Sequence, residues 1–183
     1  NFYDNPNSSR KIHKKPIPMT GGFLVLLILP FILYYISIEL NLSLNSLLGL
    51  AIIVYGNYLI GLFDDVIILN PISKTILSFI IFLLGLMLCS EIVINELMSL
   101  NFQNNFYLGF LAIPFTILCF LLNQNALNMM DGANGVLGLF SIFLFCNLFF
   151  IVNGTNFQIL IVIIVISLII FYIFNVKNKI FLG

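Results

Sequence analysis

The chain has 183 residues, 61% of them hydrophobic and 8% charged, with seven basic residues against seven acidic ones and a mean hydropathy of +1.15. A soluble domain of this length cannot hide so much apolar surface, so the bilayer is its solvent. Backbone groups in hydrocarbon must be bonded internally, and continuous rather than alternating apolar runs favour helices over a closed barrel.

The polar opening, Asn1 to Asn7, has neither an initiator methionine nor a signal-peptide pattern. It leads to Arg10-Lys11-Ile12-His13-Lys14-Lys15-Pro16-Ile17-Pro18, a basic loop stiffened by two prolines, in which a single His13 makes no metal site. Six apolar spans follow, at 21–38, 46–63, 75–92, 107–124, 135–152 and 157–174. Each is near the ~20 residues that a crossing helix needs. Pro30 and Pro114 fall inside spans and are expected to kink them. Little sequence is left between spans, so residues 1–183 form one membrane domain, an all-α polytopic transmembrane helix bundle. Cys89, Cys119 and Cys146 lie in or beside the spans without metal-ligand spacing and are expected to pack as small apolar residues.

In a six-span arrangement all seven basic residues, Arg10, Lys11, Lys14, Lys15, Lys74, Lys177 and Lys179, fall on one side. The loops near 39–45, 93–106 and 153–156 carry no Lys or Arg. The basic side is therefore expected to be cytoplasmic. Asp64, Asp65, Asp131 and Asn134 share that side, and Glu39, Glu91 and Glu96 lie opposite.

Two polar clusters interrupt this pattern. Asp64-Asp65 closes the second span, at a helix end that already carries partial negative charge, so a cation is expected to offset the pair: a divalent metal, a nearby lysine, or both. Asn125, Asn128, Asp131 and Asn134 recur every three residues, interleaved with Gly132 and Gly135. Steps of three keep such residues on one side of a helical end, and the glycines let backbone approach a ligand closely. A turn needs one or two such residues; this stretch has three amides and an acid. Lys74, nine residues after Asp65, is suited either to snorkelling or to holding a phosphate as a point charge. Asp, Asn and Lys at one membrane face suit Mg²⁺ and phosphoryl transfer involving a nucleotide diphosphate.

Four stretches carry a resemblance to a known family: Asp4-Asn5-Pro6-Asn7 with Pro16 to Gly22; Gly61-Leu62-Phe63-Asp64-Asp65; Asn125 to Gly135; and Lys179-Ile180-Phe181-Leu182-Gly183. In order and spacing the chain resembles the polyprenyl-phosphate N-acetylhexosamine-1-phosphate transferases, which open cell-envelope glycan pathways. The resemblance implies that a polyprenyl phosphate such as undecaprenyl phosphate attacks the β-phosphate of a UDP-N-acetylhexosamine, releasing UMP, with Mg²⁺ required. It implies catalytic roles for Asp64 and Asp65, one of them a base, and metal ligation by Asn128, with Asp131 near metal or nucleotide. Lys74 would hold the diphosphate, and Asn134 and Phe181 would contact uridine, Phe181 by stacking. The inner membrane, with the site facing the cytoplasm, is the implied location; partners are the two substrates and the bilayer, with a homodimer open and no nucleic acid. UDP-GlcNAc is the favoured donor on the character of the 13–18 and 125–135 stretches.

Two departures stand out. Many bacterial members have Asp where this chain has Asn134, so no role needing charge is expected there. The family also continues after Phe-Leu-Gly with a metal-binding Asp and later a His-rich loop. The stretch is therefore expected to be part of a longer protein and inactive alone. A CDP-alcohol phosphatidyltransferase would follow Asp131-Gly132 with an Ala-Arg pair and later aspartates, and the chain has Ala133-Asn134 instead. A polyprenyl synthase would need a third Asp between Val66 and Pro71, where none occurs. A transporter or channel would place polar groups along a mid-bilayer path, whereas these spans read as clean in their middles.

Overall fold

A computed structural model describes residues 3–4, 17–18, 21–39, 41–67, 69–98, 105–130, 135–152 and 154–177. Among them are six α-helices: α1 (Gly21–Glu39), α2 (Leu44–Ile67), α3 (Pro71–Leu88), α4 (Ala112–Met130), α5 (Val136–Ile151) and α6 (Thr155–Val176). Four stretches are long and apolar enough to cross a membrane: Leu44–Asp65, Pro71–Leu88, Gly109–Met130 and Phe157–Val176. Val136–Ile151 and Leu29–Glu39 are apolar but shorter. The protein is an almost entirely α-helical, multi-span membrane protein, and its helices carry large exposed apolar side chains that a bilayer would cover.

The chain divides into two compact units, Leu40–Ala126 and the combination of Asn1–Glu39 with Leu127–Gly183. The Leu40–Ala126 unit is built on the α2–α3 helical hairpin. Ser43 begins α2 by accepting the Ser46 N–H on its hydroxyl at 3.1 Å. Asn70 caps α3 by accepting the Ile72 N–H at 3.2 Å, with Pro71 at the first helical position, where no N–H is needed. This cap starts α3 four residues before the expected 75. The two helices meet at glycine: a Cβ on Gly49 would lie 2.6 Å from the Gly85 carbonyl oxygen, so only bare backbone fits. Ile53, Phe82, Leu86 and Ile117 form the buried core, and Phe82 stacks on Phe120 with ring centroids 5.1 Å apart.

The fourth expected span, 107–124, corresponds to the apolar stretch Gly109–Met130, with shifted bounds. Asn105–Tyr107 is a strand, β4, paired antiparallel with β3 (Glu96–Met98). A 3-10 turn at Gly109–Leu111 then leads into α4, which continues through Asn125 and Asn128 to Met130. Pro114 thus falls in the first turn of α4, where a missing N–H breaks no helical bond. The span middles are also less clean than expected. The Asn57 amide donates back to the Ile53 carbonyl at 2.8 Å, and Ser78, fully buried, accepts from Gln124 at 3.1 Å.

In the other unit, α5 and α6 pack together and α1 packs on α6. Gly135 begins α5 at φ +82, a left-handed conformation that suits glycine. Its N–H donates to the buried Asn175 carboxamide of α6 at 2.7 Å. A two-residue ladder pairs β1 (Tyr3–Asp4) with β2 (Ile17–Pro18) and so joins the two ends of the basic N-terminal stretch.

Candidate active site

Asp64 and Asp65 lie in the last turn of α2, which runs four residues beyond the expected 63 and closes at Ile67. Lys74 lies in the first turn of α3. Each charge is at the unfavourable end of its own helix: carboxylates meet the partially negative C-terminus, the ammonium the partially positive N-terminus. The tight turn between the helices brings them together, and Lys74 Nζ lies 2.7 Å from Asp64 Oδ2. The other oxygen, Asp64 Oδ1, accepts the Leu69 N–H at 2.9 Å. The offsetting cation expected beside the acidic pair is therefore present as a lysine, and Asp64 both fixes the turn and aims Lys74. Both side chains are partly buried, at 27% and 20% exposure, which moderates solvent screening without removing it.

Ser78 stands one turn after Lys74 on α3, and its partner Gln124 stands one turn before Asn128 on α4. Gln124 Oε1, Asn57 Oδ1 and Tyr58 Oη are buried and lack a hydrogen-bond partner among the described residues. Sequence reasoning passed over these residues; the available signal was the presence of single polar groups in apolar segments, which often marks function in membranes. Asn125 and Asn128 lie on the exposed last turns of α4. Asp131, Asn134 and Phe181 lie outside the described residues, as do Arg10, Lys11, His13, Lys14, Lys15 and Lys179. What the structure does show near them is Gly135, the end of the Asn-Asp-Gly motif, held by Asn175 with Tyr172 close by. Asn175 is a further residue that sequence reasoning missed.

The opposite end of the α2–α3 hairpin has a different clasp. The buried Ser46 hydroxyl donates to Glu91 Oε1 at 2.6 Å and holds that carboxyl below the usual glutamate range. Burial, reinforced by the Glu91 carboxylate, pushes the Cys89 thiol up. Cys89 is free and fully buried, as a packing residue should be; Cys119 is half-buried and Cys146 exposed.

A paired acid and lysine at the joined ends of two membrane-crossing helices define a class of membrane protein with a polar site at one face of the bilayer. The chain belongs to glycosyl transferase family 4, which it matches over residues 45–183. It is 28% identical over 137 residues to a phospho-N-acetylmuramoyl-pentapeptide-transferase of Prochlorococcus marinus strain MIT 9215, covering 70% of this chain and 38% of that protein. It is 32% identical over 132 residues to MJ1113 of Methanocaldococcus jannaschii, assigned by its name to the glycosyltransferases, covering 68% and 35%. A second phospho-N-acetylmuramoyl-pentapeptide-transferase, from Prochlorococcus marinus strain MIT 9312, is 24% identical over 134 residues, covering 68% and 37%. The chain spans little more than a third of the length of these relatives. No solved structure matches it at a significant level.

Proposed function

We propose that the protein containing this chain transfers an N-acetylhexosamine-1-phosphate from a UDP-sugar to a polyprenyl phosphate such as undecaprenyl phosphate, releasing UMP. The observation that carries the reading is the Asp64–Lys74 pair at a membrane edge, in a chain of this transferase family. Asp64 orients Lys74, which holds the substrate diphosphate as a point charge. Asp65, its neighbour at the end of α2, is the carboxylate offered to the lipid phosphate that attacks. Asn134 and Phe181 hold the uridine.

The donor set fits Mg²⁺. Both oxygens of Asp64 are engaged by protein groups, while the carboxamide of Asn128 stands exposed at the end of α4. Asn128 and Asp131 are the proposed ligands, giving the hard oxygen donors that Mg²⁺ takes alongside substrate phosphates. When bound, the ion neutralises charge on the diphosphate. The acidic and basic end of α2–α3 faces the cytoplasm of an inner membrane, where UDP-sugars are found.

UDP-GlcNAc is the proposed donor. Two of the relatives bear a name that specifies phospho-N-acetylmuramoyl-pentapeptide, so the UDP-linked muramoyl pentapeptide is the competing donor within the same class. Membranes containing the complete protein should release UMP from one of these donors only when undecaprenyl phosphate and Mg²⁺ are supplied. Asp65→Asn should reduce release by orders of magnitude, and Glu91→Gln, which leaves Ser46 an acceptor, should change it little. Equal losses in both variants, or release independent of the lipid, would refute the assignment.

A further inference from the structure

We propose that the β3–β4 hairpin lies in the headgroup layer at the membrane face opposite Lys74, with its Leu97–Phe106 side turned into the acyl chains. Lys74 and the hairpin are separated by the length of α3, whose 18 residues rise about 27 Å at ~1.5 Å each. The hairpin thus stands at the second surface of the bilayer. Its base is fixed to the helices: the Leu108 N–H donates to the Asn95 carbonyl at 2.9 Å, and the Ile94 N–H to the buried Thr116 hydroxyl of α4 at 2.9 Å.

The register makes the hairpin two-sided. Leu97 is directly opposite Phe106, so the two share one face. Glu96, Met98, Asn105 and Tyr107 share the other, where the Asn105 amide donates to Glu96 Oε2 at 3.0 Å. On that second face the Glu96–Asn105 hydrogen bond satisfies the polar groups, beside the exposed Met98 and Tyr107; on the first face Phe106 is 66% exposed and Leu97 partly covered. After the hairpin, Phe110, 90% exposed, and Leu111 add exposed apolar groups, and Leu118 and Leu122 of α4 are exposed as well. Residues 89–111 include no Lys or Arg, and Glu96 lies on the hydrogen-bonded side. Aromatic and aliphatic groups beside crossing helices, with the hydrogen-bonded Glu96 and Asn105 on the other face, match the chemistry of the bilayer interface. Two three-residue strands gain little stability alone in water, which makes this cover physically important.

The chain contains no tryptophan, so a substituted one is its single fluorescent reporter of this kind. Phe106→Trp and, separately, Asn105→Trp are reconstituted in liposomes and exposed to lipids brominated on the upper acyl chain or to aqueous iodide. The reporter at 106 should lose most of its emission to brominated lipid and little to iodide, and the reporter at 105 should show the reverse. Iodide quenching of both with no lipid quenching would place the hairpin in water and overturn the proposal. A reporter at 106 spared by both quenchers would show cover by another protein copy and overturn it equally. Strong lipid quenching at both positions would overturn the two-sided placement. Leu97→Trp, opposite Phe106, reports the same face if Phe106→Trp fails to reconstitute.

Discussion

Asp64 connects three things through two oxygens: its own helix end, the Leu69 N–H of the following turn, and the Lys74 ammonium. Asp64→Asn keeps an oxygen for Leu69 but removes the charge; Lys74→Met removes the other. A double-mutant cycle on stability should give a coupling near 1 kcal/mol, the scale of a partly exposed ion pair, while each single variant loses most transfer activity. A coupling indistinguishable from zero would mean that the pair adds nothing to the fold. The expectation of a cation beside Asp64-Asp65 came from helix-end electrostatics alone, and it held because the turn is short enough for chain connectivity to supply the partner. Ser78 and Gln124 are 46 residues apart, and no local pattern announces that they meet.

At the level of elements, the α2–α3 hairpin is fastened at both ends and joined by glycine between. The Ser46–Glu91 end is sensitive to acid. Glu91 has a lowered folded-state pKa, so its contribution is fully present above the ordinary glutamate range and disappears as pH falls through the lowered value. The stability difference between the parent and Ser46→Ala should therefore be constant near neutrality and shrink under acid conditions. A difference that grew on acidification would contradict the hydrogen bond. The helix positions were legible from apolar runs, because crossing lengths are dictated by the bilayer. Their ends were less so. The start of α3 moved to Pro71 through the Asn70 cap, and the expected start of the fourth span at 107 was displaced because Tyr107 closes β4 of the hairpin.

For the whole molecule, the decisive question is which side of the membrane each end of α3 faces. The distribution of Lys and Arg predicts that the Lys74 end is cytoplasmic. With Cys89, Cys119 and Cys146 replaced, Ser73→Cys should react with an impermeant maleimide only in inverted vesicles, and Ser90→Cys only in intact cells. The reverse labelling would overturn the orientation. The multi-span character was legible in composition, and the family in four short motifs. The candidate site was only partly so: the structure unites Asp64 with Lys74 and puts Asn128 on the end of α4, whereas Asp131, Asn134 and Phe181 lie outside the described residues.

Asn175 gives the motif an unexpected dependence on the far end of the sequence. Its carboxamide grips the backbone of a glycine forty positions earlier, at the junction where the loop becomes α5. Any axial slip or rotation of α6 pulls on that junction, so α6 acts as a tensioner on the start of α5.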